Sequence, residues 1–222
     1  MNKKNILIII SKLFFCILYS NLYSNDKHEN LLNLLESNYP AEIFFKQISK
    51  DSFSEGWMII EGSGKARIEF APPNNILIVA DGEWIMFHDP EIERTTYLPL
   101  NSGLLQALLD PISFKKRKDF LVKETIEKNK IIFTIEFNLD DKKQKVLIYF
   151  NQKNLSLLGW KIKENANEEI NVKITDLKKI SNKKVSRKNF FNFSEKVKET
   201  GVIYYGPYKR KINRIENNGK LN

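Results

Sequence analysis

GWMIIEGSGKARIEFAPPNNILIVADGEWIMFHDPEIERTTYLPLNSGLLQALL, residues 56–109, decides how this chain folds. Apolar and polar residues alternate over short runs, and turn signals separate the runs. In residues 65–70, Ala66, Ile68 and Phe70 point one way while Lys65, Arg67 and Glu69 point the other. Pro72-Pro73-Asn74-Asn75 makes a turn. Asp81-Gly82 then joins the run Ile76 to Ala80 to the run Trp84 to His88, a strong hairpin signal. Leu104, Leu105, Leu108 and Leu109 follow at helical spacing, and Asp110-Pro111 ends that helix.

The same pattern extends outward in both directions. Ile43-Phe44-Phe45 and Trp57 to Ile60 are strands, as is Thr95 to Leu98. Beyond the Leu-rich helix come Phe120, Val122 and Ile126, then Phe133, Ile135 and Phe137, with Asp140-Asp141 as a turn before Val146, Ile148 and Phe150. Leu158, Trp160 and Ile162 alternate next, and then Ile170, Val172 and Ile174. Phe190, Phe191 and Phe193 mark a late strand or an apolar anchor. At the other end, Leu31, Leu32, Leu34 and Leu35 predict a helix over 27–37, stopped by Pro40. No internal repeat is present. About ten to eleven strands joined by short turns predict a mainly β antiparallel meander. A sheet that long curls, either into a barrel or into an open, incomplete barrel with the two Leu-rich helices as its lid.

The 222 residues suffice for one domain with a real core, expected over 25–208. Residues 1–24 read as an export signal. Lys3 and Lys4 precede the apolar stretches Ile6 to Ile10 and Leu13 to Leu18, with cleavage expected near Ser20 or Ser24. Lys12 interrupts the apolar run, which argues against a retained membrane anchor. Cys16 is the only cysteine; Phe14 and Phe15 before it do not suit lipid attachment. A cleaved chain would have no thiol, and so no disulfide, thiolate nucleophile or Cys-ligated metal. Removing the three lysines of residues 1–24 takes the net charge from +9 to +6. Export argues against nucleic acid as partner. The basic runs 115–118 and 209–211 are solvated surface or contacts for anionic lipid or an acidic partner. Residues 209–222 form a polar, basic tail expected to be disordered.

Familiar catalytic patterns fail on inspection. Gly62-Ser63-Gly64-Lys65 hints at a phosphate loop, but Ile59 and Ala66 occupy positions that need Gly and Ser or Thr. His28 and His88 are the only histidines; a two-ligand site of His88 with Asp89 is the sharp reading, and a strand-end histidine the ordinary one. Asp81, Glu83, Asp89, Glu91 and Glu93 form a carboxylate pool at hairpin ends, where charges are ordinarily solvated. No serine lies in a nucleophile elbow. An exported hydrolase therefore lacks its nucleophile or metal set, and no cofactor is expected.

With these residues in view, the chain resembles the LolA family of periplasmic lipoprotein carriers. The resemblance rests on Gly56 opening a strand, on Gly64 to Phe70 followed by Pro72-Pro73, on Ile78-Val79-Ala80-Asp81-Gly82, on Trp84 and Asp89, on Tyr97-Leu98-Pro99-Leu100, and on the leucines 104–109. It implies an open β-barrel with a helical lid over an apolar cavity that takes lipoprotein acyl chains. By position, Met58, Ile60, Ala66, Ile68 and Phe70 would line the cavity, with Phe133, Ile135 and Trp160 from the later strands. The lid would be Leu31, Leu34 and Leu35 with Leu105, Leu108 and Leu109. The implied partners are lipoproteins, an inner-membrane lipoprotein-releasing ABC transporter and an outer-membrane lipoprotein receptor; a monomer is expected. Many members carry Arg-Pro after the second strand, and that arginine helps to latch the lid. Gly62 and Ser63 stand there instead, and Arg67 lies on the opposite face by parity. A periplasmic lipoprotein-sensing regulator of similar fold is the alternative reading.

Overall fold

The computed structural model describes residues 27–50, 52–100, 104–114, 120–139, 142–163, 169–181, 191 and 206–208. The expected export segment with Cys16, the runs 115–118 and 209–211, Asp140-Asp141, Phe190, Phe193 and the tail lie outside them, as do the side chains of Leu104 and Phe137. Residues 27–38 form the helix α1. Six strands follow: β1 (Ala41–Ile48), β2 (Phe53–Ile60), β3 (Lys65–Phe70), β4 (Leu77–Asp81), β5 (Trp84–Asp89) and β6 (Arg94–Pro99). Two short helices, α2 (Leu104–Leu109) and α3 (Pro111–Phe114), lead to β7 (Leu121–Glu127), β8 (Lys130–Leu139), β9 (Lys142–Asn151), β10 (Leu157–Lys163) and β11 (Glu169–Lys179).

All eleven strands belong to one sheet in the order β6-β5-β4-β3-β2-β1-β11-β10-β9-β8-β7. Every ladder described is antiparallel. Only the β1–β11 ladder joins strands distant in sequence; the others are hairpins between consecutive strands. The edges β6 and β7 remain apart, so the sheet is open and does not close into a barrel. The link between the two edges is the α2–α3 segment.

Alternation places one apolar residue per pleat on the inner face. Ile43 faces Met58, Met58 faces Ile68 and Ile68 faces Ile78 across successive ladders. Phe133 faces Ile148, which faces Trp160, which faces Val172, on the other half. Two irregularities shift this parity. One lies in β11, where Thr175 is the extra residue opposite the step from Phe44 to Phe45 in β1. The other lies between Leu157 and Gly159 in β10. The alternation of the sequence puts Leu158 in phase with Trp160, but it is Leu157 that is buried and Leu158 that sits in the bulge. Gly159 causes this. Its φ of 141° suits glycine, and a Cβ there would collide with the Val172 carbonyl.

The turns follow local chemistry. Asp81 accepts from the amides of Glu83 (2.9 Å) and Trp84 (2.8 Å), and Gly82 at φ 109° completes the reversal. Asp110 ends α2, since its amide donates to the Gln106 carbonyl at 2.7 Å. It also begins α3, because its carboxylate accepts from Ser113 at 3.2 Å and Pro111 fits the first helical position. The predicted stop at Asp110-Pro111 is therefore also a start.

Candidate functional site

The inner face and the helices form an apolar interior in two parts. In the first, Leu31, Leu32, Leu34 and Leu35 of α1 pack with Ala107, Leu108 and Phe114 against Phe133, Ile135, Ile148 and Phe150. In the second, Leu100 and Leu109 pack against Ile43, Phe45, Met58, Ile60, Ala66 and Phe70. Tyr39, Trp160, Ile174 and Leu177 touch both parts and form the boundary. Aromatic rings meet edge to face within each part, Phe133 with Phe150 at 5.9 Å and Phe45 with Phe70 at 5.4 Å. Gly56 has no side chain because the Phe45 ring lies where its Cβ would stand.

The residues named from the sequence are distributed over this interior. Phe133 and Ile135 lie in the first part; Met58, Ile60, Ala66 and Phe70 lie in the second. Ile68 is half-buried against the second, and Trp160 half-buried against both. Leu31, Leu34, Leu35, Leu108 and Leu109 are buried. Leu105 is not: it is 38% exposed, and Ala107 takes the inward position on α2. A six-residue helix has one narrow inward stripe, and Leu108, Leu109 and Ala107 fill it. Leu32 also belongs to the packed interior, signalled by four leucines in five positions of α1.

Polar contacts tie the helices to the turns of the sheet. Asn38 is buried and makes three bonds. Its Nδ2 donates to the carbonyls of Leu34 (2.8 Å) and Leu155 (3.0 Å), and its Oδ1 accepts from the Leu157 amide (3.0 Å). It thereby caps α1 and ties it to the β9–β10 turn. On the other side, the Gly64 amide in the β2–β3 turn donates to the Leu109 carbonyl at 2.8 Å. A backbone bond thus joins the end of α2 to the turn, beside the expected Arg-Pro position. Gly62 is explained by Tyr39: a Cβ at Gly62 would stand 3.1 Å from the Tyr39 Cβ and 3.2 Å from its ring. Nothing in the sequence pattern distinguished Asn38 or Tyr39, because both act through contacts remote along the chain.

The outer face carries what parity alone did not reveal. Arg67 and Glu69 do point outward, yet both are buried, with Arg67 Nε 2.7 Å from Glu69 Oε1. The Gly206 amide donates to Glu69 Oε2 at 2.7 Å, and Phe191 packs with Trp57 and Ile59. Phe191 is therefore an apolar anchor, and with Gly206 and Tyr208 it covers part of this face. A pocket of about 370 Å³ lies beside it, lined by Val79, Trp84, Met86, Tyr97 and Phe191.

The histidines stand apart. His28 meets the Phe114 and Phe120 rings edge-on, at 5.7 and 5.2 Å. His88 Nδ1 pairs with Thr95 Oγ1 at 3.0 Å, and burial lowers its pKa against the pull of Asp89. Among the described residues, no three His, Cys, Asp or Glu gather as a metal site. The inner-face residues are packed against the helices and one another.

The family model described as outer membrane lipoprotein carrier protein LolA matches residues 41–194, which is β1 to just past the Phe191 anchor. The chain belongs to the LolA family. No curated protein matches it in sequence. Among solved structures, a LolA superfamily protein from Nitrosomonas europaea is similar at 11% identity and a TM-score of 0.42, over 73% of this chain and 98% of that one. MucB is similar at 12% identity and a TM-score of 0.41, over 72% of this chain and 62% of MucB. The Pseudomonas aeruginosa MucA/MucB complex gives 12%, 0.40, 74% and 61%. The chain thus spans about three fifths of the MucB length. The LolA match begins after α1, so the α1 leucines and Tyr39 fall outside the matched region.

Proposed function

We propose that this LolA-family chain is a periplasmic carrier that binds the acyl chains of lipoproteins and moves them from the inner to the outer membrane without covalent chemistry. The observation that carries this reading is the packing of the lid leucines on an apolar inner face whose sheet stays open between β6 and β7. An acyl chain of about fifteen methylenes is on the order of 10 kcal/mol less stable in water than in an apolar site, at ~0.8 kcal/mol per methylene. Four buried leucines of α1, at about 2 kcal/mol each, stabilise the closed empty form by a similar amount. Lid and cargo then compete for one surface on nearly equal terms, which permits both uptake and release.

Residues 1–24 serve as the export signal in this reading, and the mature chain acts as a monomer. It receives cargo from an inner-membrane lipoprotein-releasing ABC transporter and delivers it to an outer-membrane receptor. The test is to purify the mature protein from periplasm, identify bound lipid or lipoprotein by mass spectrometry, and measure lipoprotein release from inner-membrane spheroplasts. Bound acylated protein and release activity are expected. A chain that arrives empty and releases nothing would overturn the proposal; one that binds acylated protein but releases none would be a lipoprotein-sensing regulator.

A further inference from the structure

Tyr39 joins α1 to β1, and its side chain lies over Gly62 in the β2–β3 turn. It touches both parts of the interior, so it stands where α1 and the sheet would separate to admit a ligand. Its hydroxyl is buried and, among the described residues, has no hydrogen-bond partner. By contrast Asn38, one residue earlier and also buried, makes three bonds. An unpaired hydroxyl in an apolar body is costly to keep, and a phenylalanine would fill the same space without that cost.

We infer that the Tyr39 hydroxyl is a polar anchor within the interior, donating a hydrogen bond to the ester or amide carbonyl of an acyl chain held beneath the helices. This rests on the carrier reading and adds to it a discrimination by chemistry. Burial pushes the Tyr39 pKa upward, so the group remains a protonated donor. A phenolic hydroxyl in apolar surroundings can give its proton to a group that only accepts, and a chain carbonyl is such a group. A pure hydrocarbon offers no acceptor. An ether oxygen is a weaker one and lies differently along the chain. The bond forms only with ligand in place, so it favours the loaded state over the empty one.

The test compares the wild type with Tyr39→Phe, which keeps the ring and removes one oxygen. Each protein is loaded with an environment-sensitive apolar dye. The dye is displaced by dipalmitoylglycerol, with ester-linked chains, or by its ether-linked twin, dihexadecylglycerol. The wild type is expected to prefer the ester by about tenfold, the effect of one hydrogen bond of ordinary strength. In Tyr39→Phe the ratio should fall to about unity, with a Tm at or above that of the wild type. An unchanged ratio in Tyr39→Phe would overturn the anchor and leave the carrier reading standing. So would a Tm several degrees lower, because the hydroxyl would then have a partner in the empty protein. If neither lipid displaces the dye from the wild type, the carrier reading fails and the anchor fails with it.

Discussion

The Gly64 amide donates to the Leu109 carbonyl at 2.8 Å, tying the β2–β3 turn to the end of α2. Gly64 sits at φ 79°, and a Cβ there would lie 2.9 Å from Leu100 Cδ2 and 3.0 Å from the Gly82 Cα. Gly64→Ala should therefore strain the turn and move the amide out of line. A loss of about 1–3 kcal/mol is expected, read as a lower midpoint in urea. If α2 serves as a lid, as the proposed function has it, dye uptake should become faster as well. Normal stability with normal uptake would show that the tie does not matter.

Leu108 packs in the first part of the interior with 2% exposure. In an ordinary core, Leu108→Ala costs about 2–5 kcal/mol and has no compensating benefit. A lid leucine competes with cargo, so truncating it should destabilise the empty protein and tighten ligand binding at once. Thermal melts and dye titrations on the same preparation separate the two cases. A weaker or unchanged affinity would make Leu108 ordinary core.

On the outer face, Glu69 accepts from both Arg67 and the Gly206 amide. Glu69→Ala takes the carboxylate from a buried guanidinium and should cost about 3–5 kcal/mol. The double substitution Arg67→Met with Glu69→Leu should recover most of that loss, since no buried charge remains. Urea unfolding of Arg67→Met, Glu69→Leu and the double variant closes the cycle. Additive losses would mean that the two side chains do not act as a pair.

His88 titrates below its ordinary value of 6.5 because burial disfavours the imidazolium, while Asp89 opposes the shift. The folded state then binds fewer protons than the unfolded state between the lowered value and 6.5. Above that window the group adds no pH dependence. As pH falls through the window, stability declines. His88→Asn should remove this part of the decline. Tm values taken from about pH 7.5 to about pH 5 would show it; parallel curves for the two proteins would exclude His88 as the cause.

The strands were legible because each ladder presents one apolar and one polar face, and parity survives wherever no residue is inserted. Asp81-Gly82 was legible because an Asp carboxylate serves its own turn. Parity failed at Leu157 and Leu158, where Gly159 allows a bulge. It was correct but insufficient at Arg67 and Glu69: alternation says which face a residue takes, not what later covers that face. Phe191 and Gly206 supply the cover from far along the chain. The same holds for the helices. Leucine spacing identified α1 and α2, whereas the ties at Asn38 and Gly64 depend on turns brought together only by the fold. Leu105 was misread because a six-residue helix is too short for spacing alone to select its buried stripe.

The β1–β11 ladder pairs Ala41 with Lys179 and Ile48 with Asn171. Every other ladder can form between strands adjacent in the chain as it is synthesised. The two meanders, β1 to β6 and β7 to β11, can therefore each form by local pairing, and only this seam must wait for distant partners. Until β11 emerges, the inner faces of β1 and β10 lack their shared neighbour, and the apolar interior has no second wall. The sheet is thus completed when β11 docks on β1. Each meander carries only half of the apolar interior, so a surface able to hold a ligand between the halves exists only once that seam has formed.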